Sequence, residues 1–424
     1  MKNRLLKEVR KIHFVGIGGI GVSAIARMAR LEGIKVSGSD VSEGPMTEKI
    51  RDIGGNVFIG HNEKNLLKDT DFVVYSPAIG DDNVELIKAR ELGIPVYSYP
   101  EVLGLISRDM HTIAVSGTHG KTTTTSMIAE LMIYGNLDPS VVVGGLLKKQ
   151  KDNFVLGESD YFVVEACEHK KSFLHLSPNI LVITNIDKDH LDFYGSLDNI
   201  CSAFGELIKK VDGFVVCDIG DKNVRKAFDY AGDISAKVVD YRNIGSVDLS
   251  IPGAHNALNA QAALSVGDLV GIDFEKGRKI IKEYSGCWRR FDFVGKTEND
   301  SLVYTDYAHH PVEVEAVVKS ALEGFDREVV VVFQPHLFSR TKFFLKDFAS
   351  ALGLADKVVV TDIYAAREKD DGSIHARDLV DLVDGAKYIS NFSDIVNFVE
   401  KQKKSLVLII GAGDIYSICK DIAS

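Results

Sequence analysis

The sequence predicts an α/β protein of three domains, each built on a largely parallel sheet. The chain has 424 residues, and at roughly 150 residues per domain this length favours about three domains. Short β-branched runs alternate with amphipathic segments almost throughout, which is typical of parallel α/β sheets. The alternation starts afresh near Arg108 and again near Gly295. We therefore predict domains at residues 1–108, 109–295 and 296–424.

Each domain has its own strand pattern. The first contains a strand at Lys11–Val15, a helix with Val22, Ile25, Ala26 and Ala29 on one face, and a strand at Lys35–Ser37. The second contains strands at His111–Val115, Tyr161–Ala166, Ile180–Ile186 and Phe214–Cys217. The third contains strands at Leu302–Asp306, Glu328–Phe333, Lys357–Asp362 and Leu406–Ile410, with a helix at Pro311–Phe325 that carries Val314, Val317, Val318 and Ala321 on one face.

Composition excludes several classes of protein. Apolar residues make up 45% and charged residues 26%, as in ordinary globular proteins. The net charge of −10 disfavours nucleic acid and anionic membranes as partners. Five cysteines without a CxxC pair favour a reducing compartment, and no apolar stretch reaches the ~18 residues of a membrane span. We expect a cytoplasmic protein without membrane insertion, and the sequence leaves monomer and dimer open.

The first glycine-rich loop follows the first strand. Gly16-Ile17-Gly18-Gly19-Ile20-Gly21 is a G-x-G-x-x-G between a strand and a helix, and Asp40 follows at the end of the next strand. Such glycines let backbone N–H groups approach a pyrophosphate, while the acidic residue meets a ribose or base. The loop therefore predicts a dinucleotide or nucleotide-diphosphate site without saying which nucleotide binds. A tight turn without a ligand is the alternative interpretation.

The second glycine-rich loop carries a lysine. Ser116-Gly117-Thr118-His119-Gly120-Lys121-Thr122-Thr123 joins a strand to a helix. Val115 stands where a strict Walker A motif has glycine, so this is a shorter G-x-x-G-K-T loop. Consecutive N–H groups at a helix N-terminus cradle phosphates, the lysine neutralises them, and Thr122 can ligate Mg²⁺.

Other polar residues follow strands of the second and third domains. Glu165 ends one strand, and Asn185, Asp187, Asp189 and His190 follow another. Ligands of α/β proteins bind at the carboxyl ends of strands, so we expect metal ligands or nucleotide contacts here. A third glycine loop, Gly411-Ala412-Gly413-Asp414, is as consistent with a plain βα turn as with a ligand contact.

Taken in order, these motifs resemble the Mur ligase family over nearly the whole chain. The two glycine loops are followed by further matching segments: Glu165-Ala166, Ser172-Phe173-Leu174, Thr184-Asn185-Ile186, Asp189-His190-Leu191-Asp192, Pro252 to Ala260, Arg289-Arg290-Phe291, Asp306 to Pro311, Phe333-Gln334-Pro335-His336, and Gly411 to Asp414. No single segment is decisive, but all of them together in this order are very specific.

The resemblance implies a fold and an activity. It implies an N-terminal Rossmann-like UDP-binding domain, a central P-loop-type ATP-binding α/β domain and a C-terminal Rossmann-like domain. It also implies ATP-dependent ligation of L-alanine to UDP-N-acetylmuramate through an acyl phosphate, in peptidoglycan precursor synthesis. Family members that add other amino acids carry a carbamylated lysine, whereas Asn199 to Leu207 contain none. This absence and His119 favour the alanine-adding type.

Site residues follow from the same resemblance. The catalytic set would be Lys121 and Arg290 on the outer phosphates of ATP, with His336 and Arg340 facing the carboxylate and the amino acid. ATP would also contact Gly117, Thr118, His119, Gly120, Thr122 and Thr123, with Asn256 and Asn259 at adenine and Asp306 at ribose. Mg²⁺ would be held by Thr122 and, at a second position, by Glu165 and His190. The UDP-sugar would contact Gly16, Gly18, Gly19, Gly21, Asp40 and Ser76.

Three departures and three alternatives accompany this interpretation. Cys167-Glu168-His169-Lys170-Lys171 replaces an acidic run, Leu337 stands where arginine is expected, and Arg367 replaces a small residue. We expect Lys170 and Lys171 to face solvent. A ligase that joins UDP-muramate to a ready-made peptide shares the chemistry but usually has a different N-terminal loop. A nicotinamide dehydrogenase would leave the second loop without a role. Loss of Lys121 or Glu165 would favour a non-catalytic nucleotide sensor, but both residues are present.

Overall fold

The computed structural model describes residues 9–366 and 368–422, except for the side chain of Asp192. The departure at Arg367 lies outside the described residues. Within this part of the chain, no helix combines the length and the apolar character needed to cross a membrane.

The N-terminal sheet has five parallel strands in the order β3-β2-β1-β4-β5. Its strands are β1 (Lys11–Val15), β2 (Lys35–Asp40), β3 (Asn56–Ile59), β4 (Phe72–Tyr75) and β5 (Val96–Ser98). Its helices are α1 (Ile20–Leu31), α2 (Pro45–Asp52), α3 (Val84–Glu91) and α4 (Tyr99–Arg108). The order changes direction at β1, the point where open α/β sheets bind ligands.

The central sheet has seven strands in the order β12-β11-β10-β6-β9-β7-β8, and the edge strand β8 is antiparallel to β7. The strands are β6 (His111–Ser116), β7 (Ser140–Leu147), β8 (Asp152–Val155), β9 (Tyr161–Glu165), β10 (Ile180–Ile183), β11 (Phe214–Cys217) and β12 (Lys237–Asp240). The helices that follow β6 and later strands are α5 (Lys121–Tyr134), α6 (Leu191–Tyr194), α7 (Leu197–Ile208), α8 (Lys222–Ala231), α9 (Ala254–Leu269) and α10 (Phe274–Lys282). Strand β6 therefore lies between β9 and β10.

The C-terminal sheet has six strands in the order β13-β14-β18-β15-β16-β17, with β13 antiparallel to β14. The strands are β13 (Asp292–Lys296), β14 (Leu302–Asp306), β15 (Val329–Phe333), β16 (Lys357–Val360), β17 (Lys387–Tyr388) and β18 (Leu406–Ile410). The helices are α11 (Pro311–Gly324), α12 (Phe338–Phe343), α13 (Leu345–Leu352), α14 (Ala376–Val380), α15 (Phe392–Glu400) and α16 (Cys419–Ile422). Every residue of β15 and β18 is buried, as in parallel sheets covered on both faces.

The chain forms two compact units. One comprises the described chain up to Val247 together with Leu258–Lys282, so it contains the N-terminal and central sheets. The other comprises Asp248–Ala257 and the described chain from Glu283 onward. The boundary that we predict near Gly295 falls inside β13.

Four strands match the sequence prediction at both ends. The strands at Lys11–Val15, Phe214–Cys217, Leu302–Asp306 and Leu406–Ile410 have the predicted bounds. The prediction of a strand at Ile180–Ile186 is too long, because β10 ends at Ile183. Beyond it, the side chains of Thr184 and Asn185 bond to the lysine-bearing loop. Helix α11 buries the predicted face of Val314, Val317, Val318 and Ala321.

Candidate functional site

The lysine-bearing loop consists of Gly117–Gly120 and the lysine that follows, Lys121. It connects β6 to α5 and depends on its two glycines. Gly117 has φ +131° and Gly120 has φ +82°, backbone conformations that side chains disfavour. A Cβ on Gly117 would overlap Thr184 Oγ1, and a Cβ on Gly120 would lie 2.5 Å from Asn259 Oδ1. The loop is thus a bare backbone concavity at a helix N-terminus, the geometry that cradles phosphate.

The segment that follows β10 holds this loop in place. Asn185 Oδ1 accepts the His119 N–H at 2.9 Å, and Asn185 Nδ2 donates to the His119 carbonyl at 3.0 Å. Thr118 Oγ1 accepts the Asp187 N–H at 2.8 Å. Asn185 and Asp187, which the sequence offers as ligand contacts, therefore support the shape of the loop.

Lys121 begins α5, and its side chain turns back into the loop. Its Nζ donates to the carbonyls of Gly117 at 2.6 Å and Thr118 at 3.0 Å. It also pairs with Glu168 Oε2 at 2.9 Å, and the Glu168 side chain is only 3% exposed. Burial by itself lowers the pKa of Lys121, but the neighbouring acidic groups, Glu168 foremost, together outweigh burial and raise it. Lys121 therefore keeps its positive charge at the loop.

Glu168 also belongs to a cluster that could hold a metal ion. Ligand atoms of Glu168, Asp189 and His190 lie within 4.8 Å of one another. Two carboxylates and an imidazole suit a divalent cation. Burial raises the pKa of Glu168 against the lowering effect of Lys121. The resemblance assigns His190 to the metal but not Glu168 or Asp189.

The other predicted metal ligands are Glu165 and Thr122. Glu165 ends β9, and its Oε2 accepts the Gly144 N–H at 2.9 Å. Thr122 is buried in the first turn of α5, directly after Lys121. Their part in metal binding stays a prediction.

The two lysines of the segment after β9 lie at the surface, as we expect. Lys170 has φ 51° and Lys171 has φ 57°, so the chain turns sharply at both residues. Lys170 is exposed, and Lys171 pairs with Glu206 at 2.8 Å. Both cations therefore lie on the surface.

The N-terminal glycine loop meets its predicted partners. Gly18 N–H donates to Asp40 Oδ2 at 2.8 Å. Gly16 has φ +78°, and a Cβ there would lie 3.0 Å from Ser76 Cβ. A Cβ on Gly19 would lie 3.3 Å from the Gly16 carbonyl. The structure thus brings together Gly16, Gly18, Gly19, Asp40 and Ser76 at the carboxyl edge of the N-terminal sheet.

A cavity of about 190 Å³ joins this loop to the central sheet. Its lining includes Gly21 from the N-terminal loop, Tyr99 from α4, and Gly144, Glu165 and Ser172 from the central sheet region. A Cβ on Gly21 would lie 2.6 Å from the Tyr99 ring. Tyr99 is not among the predicted site residues, because nothing in a lone tyrosine at a helix start indicates that it lines a cavity.

In the second compact unit, Arg289 and Arg290 differ. Arg289 is 4% exposed and donates to the carbonyls of Gly411 and Gly413, with Tyr416 stacked 4.2 Å from its guanidinium. It holds the third glycine loop. Arg290 is half-buried, with its guanidinium 5.2 Å from the Tyr307 ring.

Asp306 ends β14 and bonds to the backbone. Its carboxylate accepts the Phe291 N–H at 2.6 Å and the Ala308 N–H at 2.7 Å. Burial raises the pKa of Asp306 to about 6, and Arg290 opposes this rise. The carboxylate thus fixes two backbone segments, and its predicted contact with ribose stays a prediction.

His336 and Arg340 lie together. Arg340 Nη1 is 3.3 Å from His336 Nδ1. The His336 ring stacks on Tyr364 at 5.8 Å and meets His309 edge-on at 5.8 Å. Leu337 is 4% exposed with φ 71°. The leucine that replaces the expected arginine therefore points into the protein interior.

The two asparagines of α9 have separate surroundings. Asn256 is 4% exposed and donates to the Pro252 carbonyl at 2.7 Å. Asn259 lies against Gly120 of the lysine-bearing loop. Their assignment to adenine stays a prediction.

Family models match three consecutive parts of the chain. The catalytic domain of the Mur ligase family matches residues 11–111, the Mur ligase middle domain matches residues 115–243, and the Mur ligase glutamate ligase domain matches residues 289–413. Together these matches span more than half of the sequence.

Relatives resemble the chain over nearly its whole length. UDP-N-acetylmuramate–L-alanine ligase of Alkaliphilus metalliredigens is 40% identical, with 97% of each chain covered. The enzyme of the same name from Caldanaerobacter subterraneus subsp. tengcongensis is 41% identical over the same shares. The crystal structure of UDP-N-acetylmuramate-alanine ligase MurC from Thermotoga maritima has a TM-score of 0.80 and 32% identity, covering 97% of this chain and 98% of that one.

Proposed function

Because the chain belongs to the Mur ligase family, we propose that it ligates L-alanine to UDP-N-acetylmuramate at the expense of ATP. The observation that carries this proposal is 40% identity over 97% of both chains to a ligase of that name. The lysine-bearing loop supports it, since such a loop suits phosphoryl transfer. The product would be a precursor of peptidoglycan.

In the proposed reaction, the γ-phosphoryl group of ATP is transferred to the muramate carboxylate. The carboxylate oxygen attacks phosphorus, ADP leaves, and an acyl phosphate forms. The amine of L-alanine then attacks the acyl carbon, loses a proton, and inorganic phosphate leaves. Both steps need stabilisation of negative charge more than covalent help from the protein.

Lys121 is the residue that would stabilise negative charge in the first step. Its ammonium lies at the loop carbonyls and is held there by Glu168. The loop N–H groups and Lys121 would bind the outer phosphate oxygens, with Thr122 and Thr123 in the first turn of α5 beside them. Arg290 is assigned to the same phosphates by the family resemblance.

The donor set near the loop fits Mg²⁺. Glu168, Asp189 and His190 offer two carboxylates and one imidazole within 4.8 Å, and Thr122 offers a hydroxyl at the loop. When bound, Mg²⁺ would neutralise charge on the phosphates and on the substrate carboxylate. We keep Glu165 and His190 as proposed ligands and add Glu168 and Asp189.

The UDP-sugar would bridge the two sheets of the first unit. Its UDP moiety would bind at Gly16–Gly21 with Asp40 and Ser76, and its sugar would enter the cavity that Tyr99 and Glu165 line. This route leads from the N-terminal loop to the carboxyl edge of the central sheet. In the second unit, His336 and Arg340 are proposed to bind the amino acid and the carboxylate.

The proposed chemistry favours a cytoplasmic location, because ATP and UDP-activated sugars are cytoplasmic substrates. The five cysteines lie in the described residues, and all of them are free thiols, in agreement with a reducing compartment. We therefore propose that the enzyme acts in the cytoplasm.

One assay tests the activity. Phosphate release from ATP and Mg²⁺ with UDP-N-acetylmuramate is measured with L-alanine, glycine, L-serine and a tripeptide. We expect the highest kcat/KM with L-alanine. Preference for the tripeptide would instead identify a peptide-recycling ligase, and absence of phosphate release with every acceptor would contradict a ligase.

A further inference from the structure

The N-terminal sheet contains a buried polar network that the proposed reaction does not use. Its centre is Glu85 in the first turn of α3, which is 0% exposed. The carboxylate accepts hydrogen bonds from Ser39 Oγ at 2.6 Å, Asn65 Nδ2 at 2.7 Å and the Asn62 N–H at 3.0 Å, and it lies 3.1 Å from His13 Nε2.

These contacts settle the charge of Glu85. Burial by itself would raise its pKa, but the hydrogen bonds outweigh burial, so the pKa lies below its ordinary value. The carboxylate is therefore ionised at neutral pH and can only accept hydrogen bonds. Consequently Ser39 must give its one hydroxyl hydrogen to Glu85.

The second contact of Ser39 then determines a histidine tautomer. His61 Nδ1 lies 2.8 Å from Ser39 Oγ. Since the hydroxyl hydrogen is already used, Ser39 Oγ can only accept from His61, and Nδ1 must carry the proton. In a neutral imidazole the other nitrogen is then an acceptor, so His61 presents a bare Nε2.

His61 lies at the carboxyl edge of the N-terminal sheet, where we propose that the nucleotide binds. It follows β3, is half-buried, and comes directly after Gly60, whose N–H donates to the Asp40 carbonyl at 2.8 Å. The Ser39 carbonyl accepts the N–H groups of Gly16 at 2.8 Å and Ile17 at 3.0 Å. One serine thus connects Glu85 both to His61 and to the N-terminal glycine loop.

We propose that Glu85 is a positioning residue for the UDP-sugar: through Ser39 it holds His61 in the Nδ1–H form, so that Nε2 accepts a hydrogen bond from the uridine. The donor on the ligand is an uncharged N–H or O–H, either the imide of the base or a ribose hydroxyl. This inference rests on the proposed function for the identity of the nucleotide, whereas the tautomer follows from the protein alone.

Glu85→Gln tests the inference, because it reverses the direction of the hydrogen bonds. The Asn62 backbone N–H can only donate, so the oxygen of the new side-chain amide must face it and the NH₂ group must face Ser39 and His13. Ser39 then accepts from this NH₂ group and donates to His61 Nδ1. The proton of His61 moves to Nε2, which can no longer accept.

Nitrogen NMR of histidine-labelled protein reads the tautomer directly, with the His61 signals assigned through His61→Gln. We expect Nδ1–H in the wild type and Nε2–H in Glu85→Gln. We also expect the KM for UDP-N-acetylmuramate to rise about tenfold, the loss of about one hydrogen bond, while kcat and the KM for ATP stay within twofold. Glu91→Gln, an exposed glutamate at the end of the same helix, is the matched control.

Ser39→Ala gives a second, independent variant if Glu85→Gln does not fold. It removes the hydroxyl but keeps the carbonyl that holds the glycine loop, so His61 should lose its Nδ1–H preference and UDP should bind several-fold more weakly by calorimetry. Binding of 2′-deoxy-UDP and N3-methyl-UDP to the wild type identifies the donor group. The wild type should bind the analogue that lacks the donor as weakly as the variant binds UDP.

Two results would overturn the inference: an Nε2–H tautomer of His61 in the wild type, or a reversed tautomer in Glu85→Gln with unchanged UDP affinity. Failure of the wild type to turn over UDP-N-acetylmuramate would instead contradict the proposed function. The NMR measurement does not depend on turnover, so the two failures can be told apart.

Discussion

The two glycine loops of the first unit look alike in sequence but differ in what surrounds their backbone. In the N-terminal loop, the Gly18 N–H donates to the Asp40 carboxylate. In the lysine-bearing loop, the His119 N–H donates to the neutral amide of Asn185, and the Lys121 ammonium lies against the loop carbonyls. One loop is lined by an anion and the other by a cation.

This difference in charge teaches how one backbone device serves two purposes. A loop beside a carboxylate suits hydroxyl groups and holds a ligand that does not react there. A loop with a largely buried ammonium stabilises charge that moves during phosphoryl transfer. We therefore propose that the N-terminal loop anchors the substrate and that the lysine-bearing loop carries the chemistry, and the following variants test that division.

Replacement of Lys121 should have the largest effect. Lys121→Ala removes the cation on the transferring phosphate, so kcat should fall at least ~10²–10³-fold. Calorimetric affinity for UDP-N-acetylmuramate should stay nearly intact, because we propose that this ligand binds the other loop. Lys171→Ala, which removes a surface ion pair with Glu206, is the control and should be nearly silent. An equal loss of UDP-muramate binding in Lys121→Ala would contradict the division.

Alanine in place of a glycine should separate the loops further. Gly117→Ala combines φ +131° with an overlap at Thr184 Oγ1. It should displace the loop, so we expect kcat to fall about a hundredfold, as on loss of one preorganised contact to developing charge. Gly18→Ala has no positive φ and meets Asp40 Oδ2 at 3.0 Å, so it should raise the KM for UDP-N-acetylmuramate several-fold with little change in kcat.

Gly33→Ala is the control for the glycine variants, since Gly33 has φ +89° but open space around it. It should lower the melting temperature without changing either kinetic constant. If Gly18→Ala lowered kcat as strongly as Gly117→Ala, both loops would contribute to the chemistry.

The metal-capable cluster should give an effect of intermediate size. Glu168→Gln and Asp189→Asn each remove a charged donor, so the Mg²⁺ concentration for half-maximal turnover should rise about tenfold. Because Lys170 and Lys171 lie on the surface, a double variant with Asp at 170 and Ala at 171 should leave this requirement within about twofold. An increase in Glu165→Ala alone would favour the ligand set that the sequence predicts.

The smallest effect concerns Asp306. This buried carboxylate accepts hydrogen bonds from backbone N–H groups, whereas the buried Glu168 pairs with a lysine. Its pKa of about 6 lies above the ordinary value of 3.8, so between these values the folded state binds more protons than the unfolded state. The free energy of unfolding should therefore fall as pH rises, by about 1 kcal/mol between pH 5 and pH 7.

Fluorescence of Trp288, the single tryptophan, reports urea unfolding of the unit that contains Asp306. Asp306→Asn should flatten the fall with pH, whereas Asp384→Asn, at an exposed position, should keep it. A fall of the same size in Asp306→Asn would assign the pH dependence to another group.

The sequence by itself determined the fold class and the two loops, because both depend on local patterns. A strand covered on both faces is an uninterrupted apolar run, and so the bounds of Phe214–Cys217 and Leu406–Ile410 could be read directly. A glycine loop between strand and helix is equally local, and it predicted Asp40 and Lys121 as neighbours of bound ribose or phosphate.

Only the tertiary structure decided the partners of these residues. Lys121 and Glu168 are 47 positions apart, and they meet because β9 lies beside β6 in the sheet. Tyr99 lines the cavity because α4 packs near the N-terminal loop, and Glu85 in α3 meets Ser39 in β2, which is 46 positions earlier. The order of strands in a sheet sets which strand ends are adjacent, and no local pattern encodes that order.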